Sequence, residues 1–465
     1  MKLAFDVESK PKAGQLVIFA FQQMLAVLAA TIAVPMIVGN GLTPSAAMFG
    51  AGVGTLVYLL FTKRKSPVFL SSSFAFINSM FAAFAGGVSM SLGWLGLIIG
   101  AFFAGLVYVV IAAVVKFVGV NWINKIMPAV VIGPTVAIIG LSLAGNAIGD
   151  LLKGDVTVLE GEASVMLASP YAALICGLVT LAVTMLCSTY GKKTLKLIPF
   201  IIGILAGYFV AAILTVIGNC AGVDALKIID FSVFAKYMLP DGAVTLKTFL
   251  AFPDFTFIGA FKGISELNWS YVLTIFVAYV PVAFVVFAEH IADHKNLSAI
   301  IDRDLLNEPG LSRTLLGDGI GSFAGAFFGG CPNTTYGESI ACVAITGNAS
   351  ARTIFATAIG CILFAFVTPL VAFIDSIPAC VMGGVCVALY GFIAVSGLKM
   401  LQKVDLNKNR NLFVASVILI AGIGGLTISF GSVTLTEIAA ALILGILANA
   451  MLSKEKDEES GTEEK

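Results

Sequence analysis

The sequence predicts an all-α polytopic membrane protein of fourteen spans, arranged as a 7+7 inverted repeat in which spans 3 and 10 are broken. Three observations predict it: composition, a paired polar interruption, and the distribution of charge. The chain has 465 residues, 59% hydrophobic and only 12% charged, and its mean hydropathy is +1.01. A soluble domain carries about a quarter charged residues. Apolar runs of roughly 20 residues, the length needed to cross a bilayer, recur along most of the chain.

The polar interruption is Cys331-Pro332-Asn333-Thr334-Thr335-Tyr336-Gly337-Glu338-Ser339, which packs five hydrogen-bonding side chains and a carboxylate into nine residues. Hydrocarbon offers backbone no water, so such a segment must be buried in protein or line an aqueous cavity. An ionisable residue there is a functional-site hypothesis, weighed against a plain extramembrane loop. Ser71-Ser72-Ser73-Phe74-Ala75-Phe76 matches Asn333 to Glu338 in pattern at an offset of 262 residues. Pro128 to Gly140 matches Pro378 to Gly391 at an offset of 250, with seven of thirteen positions identical once one residue of slack is allowed. Two matches in the same order argue for an internal duplication. Paired breaks in corresponding spans point to a transporter's binding site.

The spans are expected to begin near Leu16, Ala46, Pro67, Leu92, Pro128, Tyr171, Leu197, Tyr271, Thr314, Asn333, Thr353, Ile377, Leu412 and Val433. A polar connection, roughly Gly218 to Trp269, separates spans 7 and 8, and an acidic and basic tail follows Ser453. With a cytoplasmic N-terminus, 22 of the 27 Lys and Arg fall inside, and only Lys153, Lys227, Lys236, Lys247 and Lys262 fall outside. That asymmetry is what the positive-inside rule demands, and it places both termini in the cytoplasm. Seven spans separate each repeated element from its mate. The halves are therefore inverted, and the breaks of spans 3 and 10 meet near the midplane.

Span 8 carries the remaining chemistry. In Ala288-Glu289-His290-Ile291-Ala292-Asp293-His294, Glu289 and Asp293 share one helical face and His290 and His294 an adjacent one. Both histidines of the protein lie here. Glu289 sits deepest, where a carboxylate must be solvated, paired or protonated; Asp293 and His294 approach a wet helix end. Asp318, Glu437 and Asp375 read as capping, interface or turn residues. The eight cysteines are scattered without CxxC spacing and read as small core residues. No GxxxxGK[ST] loop is present, which argues against ATP-driven transport. An intramembrane metallohydrolase using Glu289, His290, Asp293 and His294 is disfavoured by the absence of HExxH. Neither metal nor cofactor is expected, and no nucleic-acid partner.

Ser72 to Ile77, Ala288 to His290 and Pro332 to Glu338 closely resemble the motifs of the nucleobase–ascorbate transporter (nucleobase–cation symporter-2) family, and Thr-Thr-Tyr-Gly-Glu resembles its bacterial uracil permease branch. The resemblance runs from Gln22 to span 14. It implies a core domain of residues 1–127 and 269–376 and a gate domain of 128–220 and 377–453. Residues 221–268 would form an extracellular connection, and 454–465 a cytoplasmic tail. It also implies short antiparallel strands in spans 3 and 10 and a homodimer in the cytoplasmic (inner) membrane. The function implied is import of a nucleobase, uracil foremost, by proton symport with alternating access; a purine or xanthine substrate, or sodium coupling, is the alternative. By position, Glu289 and Glu338 would bind the base through their carboxylates, Phe74 and Gly337 through backbone, with Ala30, Tyr336 and Ala75 beside them. Proton coupling would fall to Glu289, Asp293, His290 or His294. The chain departs from the family at Gln22-Gln23, where a glutamine–histidine pair is common, and at Asp293, where some members carry histidine. It departs again after Glu338, reading Ser339, Ile340, Ala341 and later Thr346-Gly347. An anion exchanger would instead place basic residues or bare helix N-termini at the breaks, and a channel would show uptake without accumulation.

The charge split makes residues near Lys63 and Lys403 cytoplasmic and those near Lys236 extracellular. Single cysteines there, in a background without native cysteines, should react with an impermeant thiol reagent on intact cells only at 236. Labelling at 403 from outside would contradict the fourteen-span topology.

Overall fold

The computed structural model describes the chain apart from residues 1–2, 120–121, 123–126, 161–162, 193, 240–241, 403, 431–432 and 455–465. Of the positions weighed above, Lys2, Lys125, Lys193, Lys403, Lys456, Lys465 and the acidic tail lie outside the described residues. The principal helices of the first half are α1 (Ala13–Val38), α2 (Pro44–Phe61), the short α3 (Ile77–Ala83), α4 (Met90–Val118), α5 (Ala129–Ser142), α6 (Pro170–Tyr190) and α7 (Pro199–Ala221). Those of the second half are α8 (Trp269–Ile301), α9 (Leu311–Phe327), α10 (Gly337–Thr346), α11 (Ala351–Phe364), α12 (Ala379–Leu401), α13 (Asn409–Ile423) and α14 (Glu437–Met451). Among the described residues, eight helices are long and apolar enough to cross a membrane, and shorter apolar helices include α10, α11, α13 and α14. The protein is a polytopic helical membrane protein.

Helix starts follow local chemistry. Thr43 accepts the backbone N–H of Ala46 at the head of α2, Ser89 that of Leu92 at α4, and Asn268 that of Tyr271 at α8; such caps satisfy donors the helix cannot. Pro128 and Pro378, which head the two matching sequence stretches, both stand in extended geometry just before α5 and α12. α10 ends where Gly347 adopts φ +67°, a left-handed stop that suits glycine.

The two broken segments meet. β1 (Leu70–Ser72) pairs antiparallel with β4 (Asn333–Thr335), Leu70 opposite Thr335, Ser71 opposite Thr334 and Ser72 opposite Asn333. Two hairpins the sequence reading did not foresee flank the bundle: β2 (Thr157–Glu160) with β3 (Ala163–Met166), and β5 (Ile428–Phe430) with β6 (Val433–Leu435). The second hairpin displaces the expected start of span 14, because alternating Val433-Thr434-Leu435-Thr436 favours strand and the helix begins only at Glu437. The connection of residues 218–269 holds short helices at Ser232–Met238 and Thr256–Ala260.

Helices α2 and α4 pack with α9, α8 packs on α4, and α11 packs on α1 and α2; α5 packs against α12, α6 against α7, and α13 against α14. The α5–α12 crossing is built on small residues. A Cβ on Gly140 would overlap the Tyr390 carbonyl oxygen, and one on Gly397 would meet Ala137 N and Gly133 O. Without apolar solvent exclusion to drive helices together in lipid, close backbone approach supplies the contact. Gly140→Val should therefore cost about 1–3 kcal/mol through overpacking, read as a lower melting temperature of the detergent-purified protein. Unchanged melting would show that the crossing can open without cost.

Candidate functional site

The β1–β4 pair is a buried polar knot. Thr55 Oγ1 donates to Leu70 O at 3.2 Å and accepts from Leu70 N at 2.9 Å. The Thr31 and Ser71 hydroxyls lie 2.6 Å apart, Asn333 Nδ2 donates to Gly50 O at 3.1 Å, and Ser73 N donates to Pro332 O at 2.8 Å. The Tyr336 hydroxyl donates to Ser72 O at 2.9 Å. Ser339, just beyond the strand, takes Gln23 Nε2 at 2.5 Å and Phe69 N at 3.1 Å on its hydroxyl. Each break thereby pairs the other's backbone where water is excluded, while the Ser72, Ser73 and Thr334 hydroxyls and Asn333 Oδ1 stay buried without a hydrogen-bond partner among the described residues.

From this knot α10 begins at Gly337, with Tyr336 as an N-cap residue whose side chain makes no capping hydrogen bond. Beside it lies a cavity of about 310 Å³, at the small end of ligand pockets. Glu289, Ala292 and Asp293 reach it from α8, and Gly337, Glu338, Ala341, Cys342 and Ile345 from α10. Ala26 of α1, Val136 of α5, Phe200 of α7 and Phe392, Ile393, Ser396 and Met400 of α12 form the opposite wall, with Ser188, Lys196, Leu197 and Pro199 at one end. Three carboxylates thus converge on one apolar-walled space. Thr335 Oγ1 donates to Asp293 Oδ2 at 2.7 Å, tying α8 to β4. A Cβ added to Gly337 would meet nothing within 4 Å, so its face is open to the cavity.

The other site residues read from the sequence are placed differently. Ala30, Phe74, Ala75 and Tyr336 are buried, at 1%, 6%, 3% and 4% exposure, and do not line the cavity. The Phe74 ring meets Tyr390 edge-on at 5.6 Å. His290 and His294 are fully buried on the far face of α8, their rings stacked 4.0 Å apart. His290 Nδ1 lies 2.6 Å from Asp318 Oδ2 and Nε2 lies 3.0 Å from Thr314 Oγ1, both on α9. His294 Nδ1 donates to His290 O at 2.8 Å, and Nε2 lies 2.6 Å from the Tyr58 hydroxyl, which sits 2.7 Å from Ser66 Oγ. Asp318, read as a capping or interface residue, instead sits mid-helix at 1% exposure as the partner of His290. Asp375 accepts from the Tyr237 hydroxyl at 2.5 Å, and Glu437 accepts from Asn78 Nδ2.

The sequence reading missed the α5, α7 and α12 wall, because apolar residues that line a cavity look like residues that face lipid. It missed the His290–Asp318 pair because helical periodicity gives a face but not the neighbour across it. Lys196 entered only the charge count. Gln23 was visible as a buried amide in an apolar span, though without its partner Ser339.

Long apolar helices, two broken segments joined by a strand pair, and carboxylates around a cavity between helix groups define a membrane carrier rather than an enzyme. The fold agrees: the transmembrane domain of BicA, a cyanobacterial bicarbonate transporter, is similar with a TM-score of 0.60 at 13% identity, over 94% of this chain and 97% of that one. At that identity the likeness is of fold alone. A family model described as "Permease family" matches residues 14–430, and the chain belongs to this family, the nucleobase–ascorbate transporters its motifs resemble. It is 39% identical to the uracil permease of Bacillus caldolyticus, over 97% of this chain and 95% of that protein. It is 37% identical to that of Bacillus subtilis, over 100% and 98%.

The geometry predicts reactivity. On a cysteine-free background Gly337→Cys should react with a small methanethiosulfonate, whereas Ala30→Cys should not. Equal labelling of both would contradict the cavity's outline.

Proposed function

We propose that this protein imports uracil by proton symport with alternating access, in the cytoplasmic membrane and as a homodimer. The observation that carries the reading is the convergence of Glu289, Asp293 and Glu338 on a small cavity beside the open face of Gly337. Uracil is a planar imide with two N–H donors and two carbonyl acceptors. Carboxylates accept its N–H groups, and the first backbone N–H groups of α10, which have no intrahelical partners, suit its carbonyls. The names of the relatives support uracil over a purine or xanthine.

Fourteen spans in two inverted halves suit the pairing of β1 with β4 and the matched prolines before α5 and α12. In this reading α1–α4 and α8–α11 form a core that moves against a gate of α5–α7 and α12–α14. The packing of α9 on α2 and α4, and of α5 on α12, is consistent with that division. The helix ends at Ser188, Lys196, Ile345 and Met400 that line the cavity are those the charge bias assigns to the cytoplasm, so the conformation is inward-facing. Glu289 and Asp293 carry the coupled proton, facing the cavity one helical turn apart. His290 and His294 are occupied by Asp318, Thr314 and Tyr58 on the other side of α8.

Uptake of labelled uracil into proteoliposomes, with and without a pH gradient, tests the function; accumulation is expected when the outside is acidified, and none in response to sodium alone. The carboxylates separate by role. Glu338→Gln replaces a charged acceptor with an amide and should weaken uracil binding by roughly 1.5–3 kcal/mol, about 10- to 100-fold. Glu289→Gln mimics a permanently protonated carrier, so exchange of internal for external uracil should persist while gradient-driven accumulation vanishes. If Glu289→Gln still concentrates uracil, the proton rides on Asp293 or on a histidine behind it.

A further inference from the structure

Helix α3 follows β1 in the chain, none of its residues lines the cavity, and Asn78 lies in its first turn, four residues past Phe74. Its Nδ2 donates to Oε1 of Glu437, a residue 359 positions further along the chain. Glu437 is the first residue of α14, at the helix end where acidic side chains are favoured. Charge-assisted hydrogen bonds of this kind are among the stronger side-chain links. Beside it, β6 and α14 pack against α8, and Phe74 meets Tyr390 of α12. None of these residues lines the cavity, which draws on the C-terminal half of α8 and the α10 side of the knot. Asn78 therefore sits on the helix group that bears the carboxylates, and Glu437 on the group that walls the cavity opposite them.

We propose that Asn78 and Glu437 form the outer latch of the transport cycle, a hydrogen bond that must break each time the site opens to the outside. The inference rests on the alternating-access reading above and adds to it two positioning residues that touch neither substrate nor proton site. While the latch is closed, α3 is held to α14 and the approach from outside is shut. When the core moves relative to the gate, the pair separates and Asn78 and Glu437 are released to water entering from outside. Both side chains are polar and hydrate readily, so the latch biases the equilibrium without trapping it.

The test is a double variant, Asn78→Cys with Glu437→Cys, on a background without native cysteines, reconstituted in proteoliposomes. Reduced, it should take up uracil, which leaves the transporter assignment standing whatever follows. Bridged by a short bifunctional methanethiosulfonate, it should lose uptake, still bind uracil in detergent, and regain uptake on addition of a thiol reductant. Uptake that continues in the bridged protein overturns the latch, since the contact would then persist through the cycle. A second measurement stands if the double variant does not fold. Glu437→Ala should shift labelling of Gly337→Cys toward reagent added outside, whereas Glu437→Gln, which keeps an acceptor oxygen, should stay close to the parent. Unchanged labelling in Glu437→Ala overturns the proposal equally.

Discussion

Everything in this molecule depends on the need of two broken spans to satisfy their backbones on each other. A chain that leaves the helix inside a membrane exposes N–H and C=O groups with no water to take them. Here β1 and β4 supply each other's partners, and a shell of short polar side chains completes the work: Thr55 on Leu70, Asn333 on Gly50, Tyr336 on Ser72. The knot has two consequences. It fixes where α10 starts, and so aims Gly337 and Glu338 into the cavity. Through Thr335 and Asp293 it also ties that start to α8, which brings Glu289 along.

Helix α8 serves two environments from a single turn of sequence. Its Glu289–Asp293 face looks into the cavity, while the His290–His294 face is sealed against α9 and α2 by Asp318, Thr314 and Tyr58. Burying that many polar groups is tolerable only because each finds a partner. The same helix can therefore hold carboxylates beside a substrate space on one side and act as a rigid, internally bonded strut on the other. Precision in the site follows from that support rather than from the site residues alone.

Much of this was legible in the sequence, for physical reasons. That the two breaks meet was foreshadowed by Ser71-Ser72-Ser73 and Asn333-Thr334-Thr335, polar triplets inside apolar spans; that they pair as strands was implied by the family resemblance alone. The facing of Glu289 with Asp293, and of His290 with His294, followed from 100° per residue. What lay beyond reach was tertiary. Ser396, Phe200 and Met400 look no different from lipid-facing residues until α12 and α7 are set against α10. The depth of Asp318 could not be read because its partner sits 28 residues away on another helix. Hairpin β5–β6 was missed because its alternating residues run directly into the apolar stretch of α14 and were read as the start of that span.

The central claim is that the space against Gly337 is where the nucleobase binds. A Cβ at this position meets nothing within 4 Å and Gly337 lines the cavity, so the side chain of Gly337→Val is expected to enter that space. Uracil binding to the purified variant, measured alongside its melting temperature, tests the claim most directly. The account predicts that binding is lost while melting is unchanged. Parental uracil affinity in Gly337→Val would contradict it and move the site elsewhere in the molecule.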